Sequence, residues 1–289
     1  MTYHYVLGAP DPEMARIEEI LKKSLYSYAT LDGRRVAPST AYKANKIDPV
    51  ATTDSIVTIE CSVFNLQPVL HIDHHRPGDT GYGLPPERYL EASSLGQLLR
   101  HLDLEPTPKD RLIAAADHCL GHAYRGRCPG VDPEELLEER LKEKAAFQKI
   151  SYREINQTFN TSLQHFKSLP QTIIAGQVVV DTTKELDPVP EANEVGAYLG
   201  CAVLYRMLDK ATNRQKTGLI GGEPDTIRVF MEEVKKLPEA NGLYGDPERG
   251  FAGVYDIDSV SLREFMSNPF DGSFQEKAIN PSHRLKFLS

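Results

Sequence analysis

Apolar runs alternate with amphipathic stretches along this chain. Residues 3–8, YHYVLG, predict a strand, and Ala9-Pro10-Asp11-Pro12 a turn after it. A helix is predicted over 13–28, because Met14, Ile17, Leu21 and Leu25 recur at spacings of three and four. Residues 30–52 are polar and irregular, with room for short strands. Two runs rich in β-branched residues follow, at 55–60 and 68–73. Helical patterns follow in turn at 91–102 and 110–124. Strands alternating with helices predict an α/β layer on a parallel sheet.

From 134 to about 168 the pattern is helical, with Pro133 suited to a first turn and Pro170 ending it. The second half predicts a strand at 172–181, a helix around 191–210 and a strand at 216–222. A helix at 223–237 and a strand at 251–257 complete it. The expected organisation is an α/β parallel-sheet domain at 1–132, a helical connector at 133–170 and a smaller α/β domain at 171–289.

A length of 289 residues suits two such domains, and 40% hydrophobic with 26% charged residues is ordinary for a globular protein. No run of eighteen apolar residues exists, and MTYHYVLGAPDPEM lacks a basic segment leading into a long apolar one. Neither a membrane span nor a signal peptide is therefore expected. Cys61, Cys119, Cys128 and Cys201 are scattered without a CxxC pair, which reads as reduced thiols in a cytoplasmic protein. The net charge of −8 argues against holding long duplex nucleic acid. It does not argue against a small anionic substrate, because a bound divalent cation reverses the local field.

In open α/β sheets, ligands bind beyond the carboxyl ends of the strands. Asp11 and Glu13 follow the first predicted strand, Glu60 the next, and Asp73, His74 and His75 the third. Asp117 sits among small and apolar residues in LIAAADHCLG. Carboxylates with imidazoles suit Mn²⁺ or Mg²⁺. Ions of this kind acidify water and clamp a phosphoryl group. Each residue also has a plainer reading: Asp11 as a turn former, Glu60 as a paired core carboxylate, Asp117 as a solvated bend, and the triplet as a solvated strand end.

The segment IVTIECSVFNLQPVLHIDHH, preceded by APDPEM and followed by LIAAAD, resembles the DHH phosphoesterase superfamily. That superfamily includes family II pyrophosphatases, exopolyphosphatases, oligonucleotide and cyclic-dinucleotide hydrolases and single-strand exonucleases. The resemblance covers about residues 4–120. It implies a metal-dependent hydrolase of phosphoester or phosphoanhydride bonds in a small phosphorylated substrate, with Mn²⁺ or Mg²⁺ as cofactor. It assigns Asp11, Glu13, Glu60, His74 and Asp117 as metal ligands. Asp73 would orient a histidine, and His75 would contact the phosphate or donate to the leaving group. Leu7 stands where the family has a histidine, and Glu13 and Glu60 stand where it has aspartates. Two ions, one or none all remain open on that donor set.

His118 and His122, four apart on the predicted helix, are candidates for the missing ligand, with His118 better suited to a pocket rim. His4 and His71 read as ordinary strand residues. In the second domain Gly221 and Gly222 precede a helix, where backbone amides can meet an anion. The family's Gly-Gly-Gly-His motif is here Gly-Gly-Glu-Pro, and a plain tight turn is the alternative. Arg249, in YGDPERGFAGVY, is a candidate phosphate fork. The rival to a hydrolase is a nucleotide-binding or regulatory protein on the same fold with a degenerate metal site. A homodimer is compatible with either.

Overall fold

Strand β1 (Tyr3–Leu7) is the origin of the first sheet, and every strand in that sheet runs parallel to it. The computed structural model describes residues 3–34, 36–45, 47, 55–209, 213–238 and 241–257. The chain is mixed α/β and divides into two units, Met1–Glu143 and Lys144–Ser289.

In the first unit β1 leads to α1 (Pro12–Lys23), β2 (Ser27–Thr30), the short α2 (Pro38–Ala41), β3 (Ser55–Ile59) and β4 (Leu70–Ile72). The sheet order is β2-β1-β3-β4. Helices α3 (Tyr89–Ala92), α4 (Ser94–His101) and α5 (Pro108–Tyr124) follow, and α6 (Pro133–Gln148) runs across the unit boundary. Ile17 and Leu21 of α1, Leu95 and Leu98 of α4, and Tyr5 and Ile59 of the sheet are fully buried. Each aliphatic side chain so buried contributes about 2 kcal/mol.

The helix predicted over 13–28 stops at Lys23, and Leu25 is 92% exposed rather than on the apolar face. Leu25 takes a positive φ of 57°, its N–H donates to Lys22 O, and the N–H of Tyr26 donates to Leu21 O. Those bonds close a Schellman turn. Glycine usually occupies its left-handed position, so with leucine there the stop leaves no mark in the sequence, and β2 was hidden behind it. Ser93 similarly splits the helix expected at 91–102, taking an extended conformation and capping α4 through Gly96 N.

The second unit contains α7 (Tyr152–Phe166), β5 (Gln171–Ile174), β6 (Gln177–Asp181) and α8 (Ala192–Leu199). It continues with β7 (Ala202–Asp209), β8 (Arg214–Ile220), α9 (Pro224–Val234), β9 (Asn241–Asp246) and β10 (Phe251–Tyr255). Its sheet order is β5-β6-β7-β8-β10-β9, and only β6 and β7 pair parallel. Ile227, Phe230 and Val234 of α9 seal one face of that sheet. The strand expected at 172–181 is a hairpin, because Ala175 and Gly176 both have positive φ and form its two-residue turn. The helix expected around 191–210 ends at Gly200 in a left-handed cap, and 202–209 is strand. Among the described residues no helix is long and apolar enough to cross a membrane.

Candidate metal centre at the strand ends

Parallel strands deliver their carboxyl ends to one edge, and the acidic residues gather there. Asp11 caps α1, its Oδ1 accepting the N–H of Met14 at 2.7 Å. Glu13 sits in the first turn of α1 and is buried. Its Oε1 accepts the N–H of Leu95 at 2.9 Å. Glu60 directly follows β3 and takes a positive φ of 50°, an uncommon conformation for a non-glycine residue. Gly8 is required beside it, because a Cβ there would lie 2.4 Å from Glu60 O. Gly81 plays the same part at His74, where a Cβ would lie 2.6 Å from His74 Cβ and 1.9 Å from Ala92 O.

His74 is the hub. Its Nε2 lies 2.9 Å from Asp117 Oδ2, 3.5 Å from Glu60 Oε1 and 3.8 Å from Glu13 Oε2. One donor atom each from Glu60, His74, His75 and Asp117 lie within 4.8 Å of one another, so these four residues could hold a metal ion. Glu13 Oε2 and Glu60 Oε1 are buried without a hydrogen-bond partner. Leaving such atoms unsatisfied is costly, and a cation beside Glu60 would offset that cost. Imidazole nitrogens with carboxylate oxygens are a donor set for a divalent cation.

The electrostatics carry the same strain. Burial, reinforced by the charges of Asp117 and Glu60, pushes Asp11 up to about 8. Burial and the same two neighbours also hold Glu13 well above the usual carboxylate range. Burial alone would lower His74, but Asp117 and Glu60 outweigh it and raise its imidazole to about 10. Burial opposes the charge on Asp117 too, yet His74 brings it down to about 2. Without a cation, then, protons stand in for positive charge.

Asp73 is fully buried and fully bonded. Its Oδ1 accepts the N–H groups of His74 at 2.7 Å and His75 at 2.9 Å, and lies 3.0 Å from His75 Nδ1. Tyr42 donates its hydroxyl to Oδ2 at 2.8 Å, and His71 Nε2 lies 3.3 Å from the same oxygen. Burial would raise the Asp73 carboxyl, but these partners hold it far below the usual range. It can therefore orient His75 and the His74 backbone.

His71 lies in β4, but it is more than an ordinary strand residue: Thr58 Oγ1 is 2.8 Å from its Nδ1, and Asp79 joins it and Asp73 in a second group able to hold a cation. That group is already cross-bonded, whereas the first has orphaned atoms converging on it.

His118, expected at a pocket rim, makes two specific contacts. Its Nε2 is 2.8 Å from Leu84 O, and its Nδ1 is 3.4 Å from His74 Nδ1. A carbonyl only accepts, so the His118 proton sits on Nε2 and its Nδ1 accepts from His74 Nδ1–H. That leaves the lone pair of a neutral His74 on Nε2, facing the carboxylates. Helix α5 breaks at Cys119 (φ −156°, ψ 52°), directly after this pair, and residues 117 and 118 both reach His74. Position next to Asp117 was the one available signal. His122 instead meets Arg125 and Arg127 at 2.8 and 3.2 Å.

Leu7 is a core residue of β1. In the second unit, Gly222 N–H donates to Gly250 O at 3.1 Å and Glu223 N–H to Gln177 Oε1 at 2.7 Å. Gly221, at a φ of 74°, accepts from Gln177 at 2.9 Å. These groups serve a tight turn, and the amides of Gly222 and Glu223 are not free for an anion. Arg249 is exposed, its guanidinium 5.6 Å from the Phe251 ring.

No protein-family model matches the chain, and no curated protein matches it. Among solved structures it aligns with a pGpG-specific phosphodiesterase, PggH from a Vibrio species, over 91% of this chain and 96% of that one. The identity is 12% and the TM-score 0.44.

Proposed function

We propose that the chain is a divalent-metal-dependent hydrolase of phosphoester or phosphoanhydride bonds in a small anionic substrate. One observation carries this reading: the donor atoms of Glu60, His74, His75 and Asp117 converge within 4.8 Å, with a buried unsatisfied oxygen of Glu60 among them. Glu13, Glu60, His74 and Asp117 would hold the ion, with Asp11 beside them. When bound, the ion would neutralise phosphoryl charge and acidify a water molecule. His75, held by Asp73, would meet the phosphate or supply a proton to the leaving group. His118 would keep His74 in the ligating tautomer.

The test is direct. The purified protein is assayed for bound Mn²⁺ and for Mn²⁺-dependent turnover of pyrophosphate, short polyphosphate, oligonucleotides and linear or cyclic dinucleotides. Turnover on one of these, abolished in Asp117→Asn, is the expected result. Absence of bound metal together with no turnover on any of them would overturn the reading. A protein that binds Mn²⁺ and a nucleotide without turnover would be the regulatory alternative.

A further inference from the structure

Arg76 follows directly on His75, and its guanidinium lies 3.4 Å from the centroid of the Tyr42 ring. That is a close cation–π stack. The ring is itself held, because the Tyr42 hydroxyl donates to Asp73 Oδ2 at 2.8 Å. The backbone around Arg76 is pinned on both sides. Before it, Asp73 ties down the His74 and His75 amides. After it, Asp79 N–H donates to Arg76 O at 3.0 Å across Pro77 and Gly78, and Gly78 has a φ of 101°. Proline followed by a positive-φ glycine is a type II turn. Asp79 Oδ2 also accepts the N–H of Arg76 at 2.7 Å.

The head group is treated differently from its backbone. The chain has 41 acidic residues, and Asp79 is three positions away. Even so, among the described residues no carboxylate pairs with the Arg76 guanidinium. An arginine with a fixed backbone, a stacked plane and open donor edges is preorganised for an anion. A cation held at His74 together with this guanidinium would give a phosphate two positive partners close along the chain.

We propose that Arg76, seated on Tyr42, is an anion clamp that binds a phosphoryl group of the substrate. Resting on the hydrolase reading above, the proposal names a residue that decides binding and leaves metal loading alone. Arg76 would fork onto two phosphoryl oxygens, while Tyr42 keeps the fork flat and links it to the Asp73–His75 pair.

The experiment measures binding before catalysis. Mn²⁺ affinity is titrated calorimetrically for the full chain and for Arg76→Met and Arg76→Lys, and pyrophosphate is then titrated into each Mn²⁺-loaded protein. The expected result is Mn²⁺ affinity unchanged in both variants. Pyrophosphate affinity should fall about tenfold or more in Arg76→Met and by less in Arg76→Lys, which keeps the charge and loses the fork. Tyr42→Leu, which removes the ring, should weaken pyrophosphate binding more than Tyr42→Phe. Pyrophosphate binding equal to wild type in Arg76→Met overturns the clamp, as does an equal loss of Mn²⁺ in that variant. Arg76-dependent anion binding in a protein that turns nothing over would support the clamp while refuting the hydrolase reading. Turnover with KM unchanged in Arg76→Met would do the reverse.

Discussion

Glu13 reaches across to Leu95 and takes the second amide of α4 at 2.9 Å, while its other oxygen faces His74 at 3.8 Å. The carboxylate thus docks α4 against α1 and turns one oxygen toward the cluster. The methylene that separates Glu13 from an aspartate has a use here. Glu13→Gln keeps an acceptor for Leu95 and mimics the protonated state that burial favours. Its stability without metal should be equal to wild type or higher, with Mn²⁺ affinity down about tenfold or more. Glu13→Asp should instead lose about 1 kcal/mol, since a shorter arm cannot serve both contacts. Denaturant melts and calorimetry on both variants check the pair, and equal stability loss in the two would refute it.

The tautomer assigned to His74 depends on His118. His118→Phe keeps ring volume and removes the acceptor, so His74 is free to place its proton on Nε2. Mn²⁺ affinity should drop about 10- to 100-fold with little change in fold. Calorimetric Mn²⁺ titration of both proteins measures the drop. An unchanged affinity would remove His118 from the site.

The raised groups fix the sign of the pH dependence. Asp11 moves from its usual 3.8 to about 8, so the folded state favours the protonated form and stability falls as pH rises through that interval. His74 moves from 6.5 to about 10, so its contribution is complete below 6.5 and is lost as pH climbs toward 10. Both act in one direction. The melting temperature of metal-free protein should therefore fall between about pH 6 and about pH 9, while Mn²⁺ binding tightens and releases protons over the same range. Melts with and without chelator, and calorimetry in buffers of different ionisation enthalpy, measure the two halves. A metal-free melting temperature that rises with pH would contradict the assignment.

Gly81→Ala should damage the site without touching a donor atom. Its Cβ would meet backbone at 1.9 Å and His74 Cβ at 2.6 Å, so α3 or His74 must shift. Overpacking of this kind is expected to cost about 1–3 kcal/mol. A misplacement of His74 should weaken Mn²⁺ binding as well. Wild-type values in both measurements would show that the loop gives way cheaply.

Away from the centre, Arg16 of α1 donates to Asp110 of α5 at 2.7 Å, and Asp110 is 1% exposed. Burial would raise Asp110, but bonds from Arg16 and Thr107 outweigh it and lower its carboxyl. A depressed carboxyl stabilises at neutral pH and loses that contribution as pH falls. Arg16→Met, which strands the buried charge, should cost about 3 kcal/mol at neutral pH and less at low pH. A pH-independent loss would point to packing alone.

Much of the first unit was legible in the sequence for a physical reason. A parallel strand buried on both faces is a short apolar run, and functional groups follow at its carboxyl end, so strand and site are written next to each other. Asp11, Glu13, Glu60, His74 and His75 could be named on that ground, and Asp117 from its small apolar neighbours. What stayed hidden was geometry set by the partners of each segment. Leu25 closes a helix in a conformation glycine would have announced, and Ala175 turns a hairpin without asparagine or aspartate. Tyr42, His71 and His118 acquire their roles only when Asp73 or His74 comes within hydrogen-bond reach from another element. The chain itself determined which residues bear charge and where strands end. Tertiary packing decided which of those charges share one buried volume, because only there does desolvation make their mutual repulsion large enough to call for a cation.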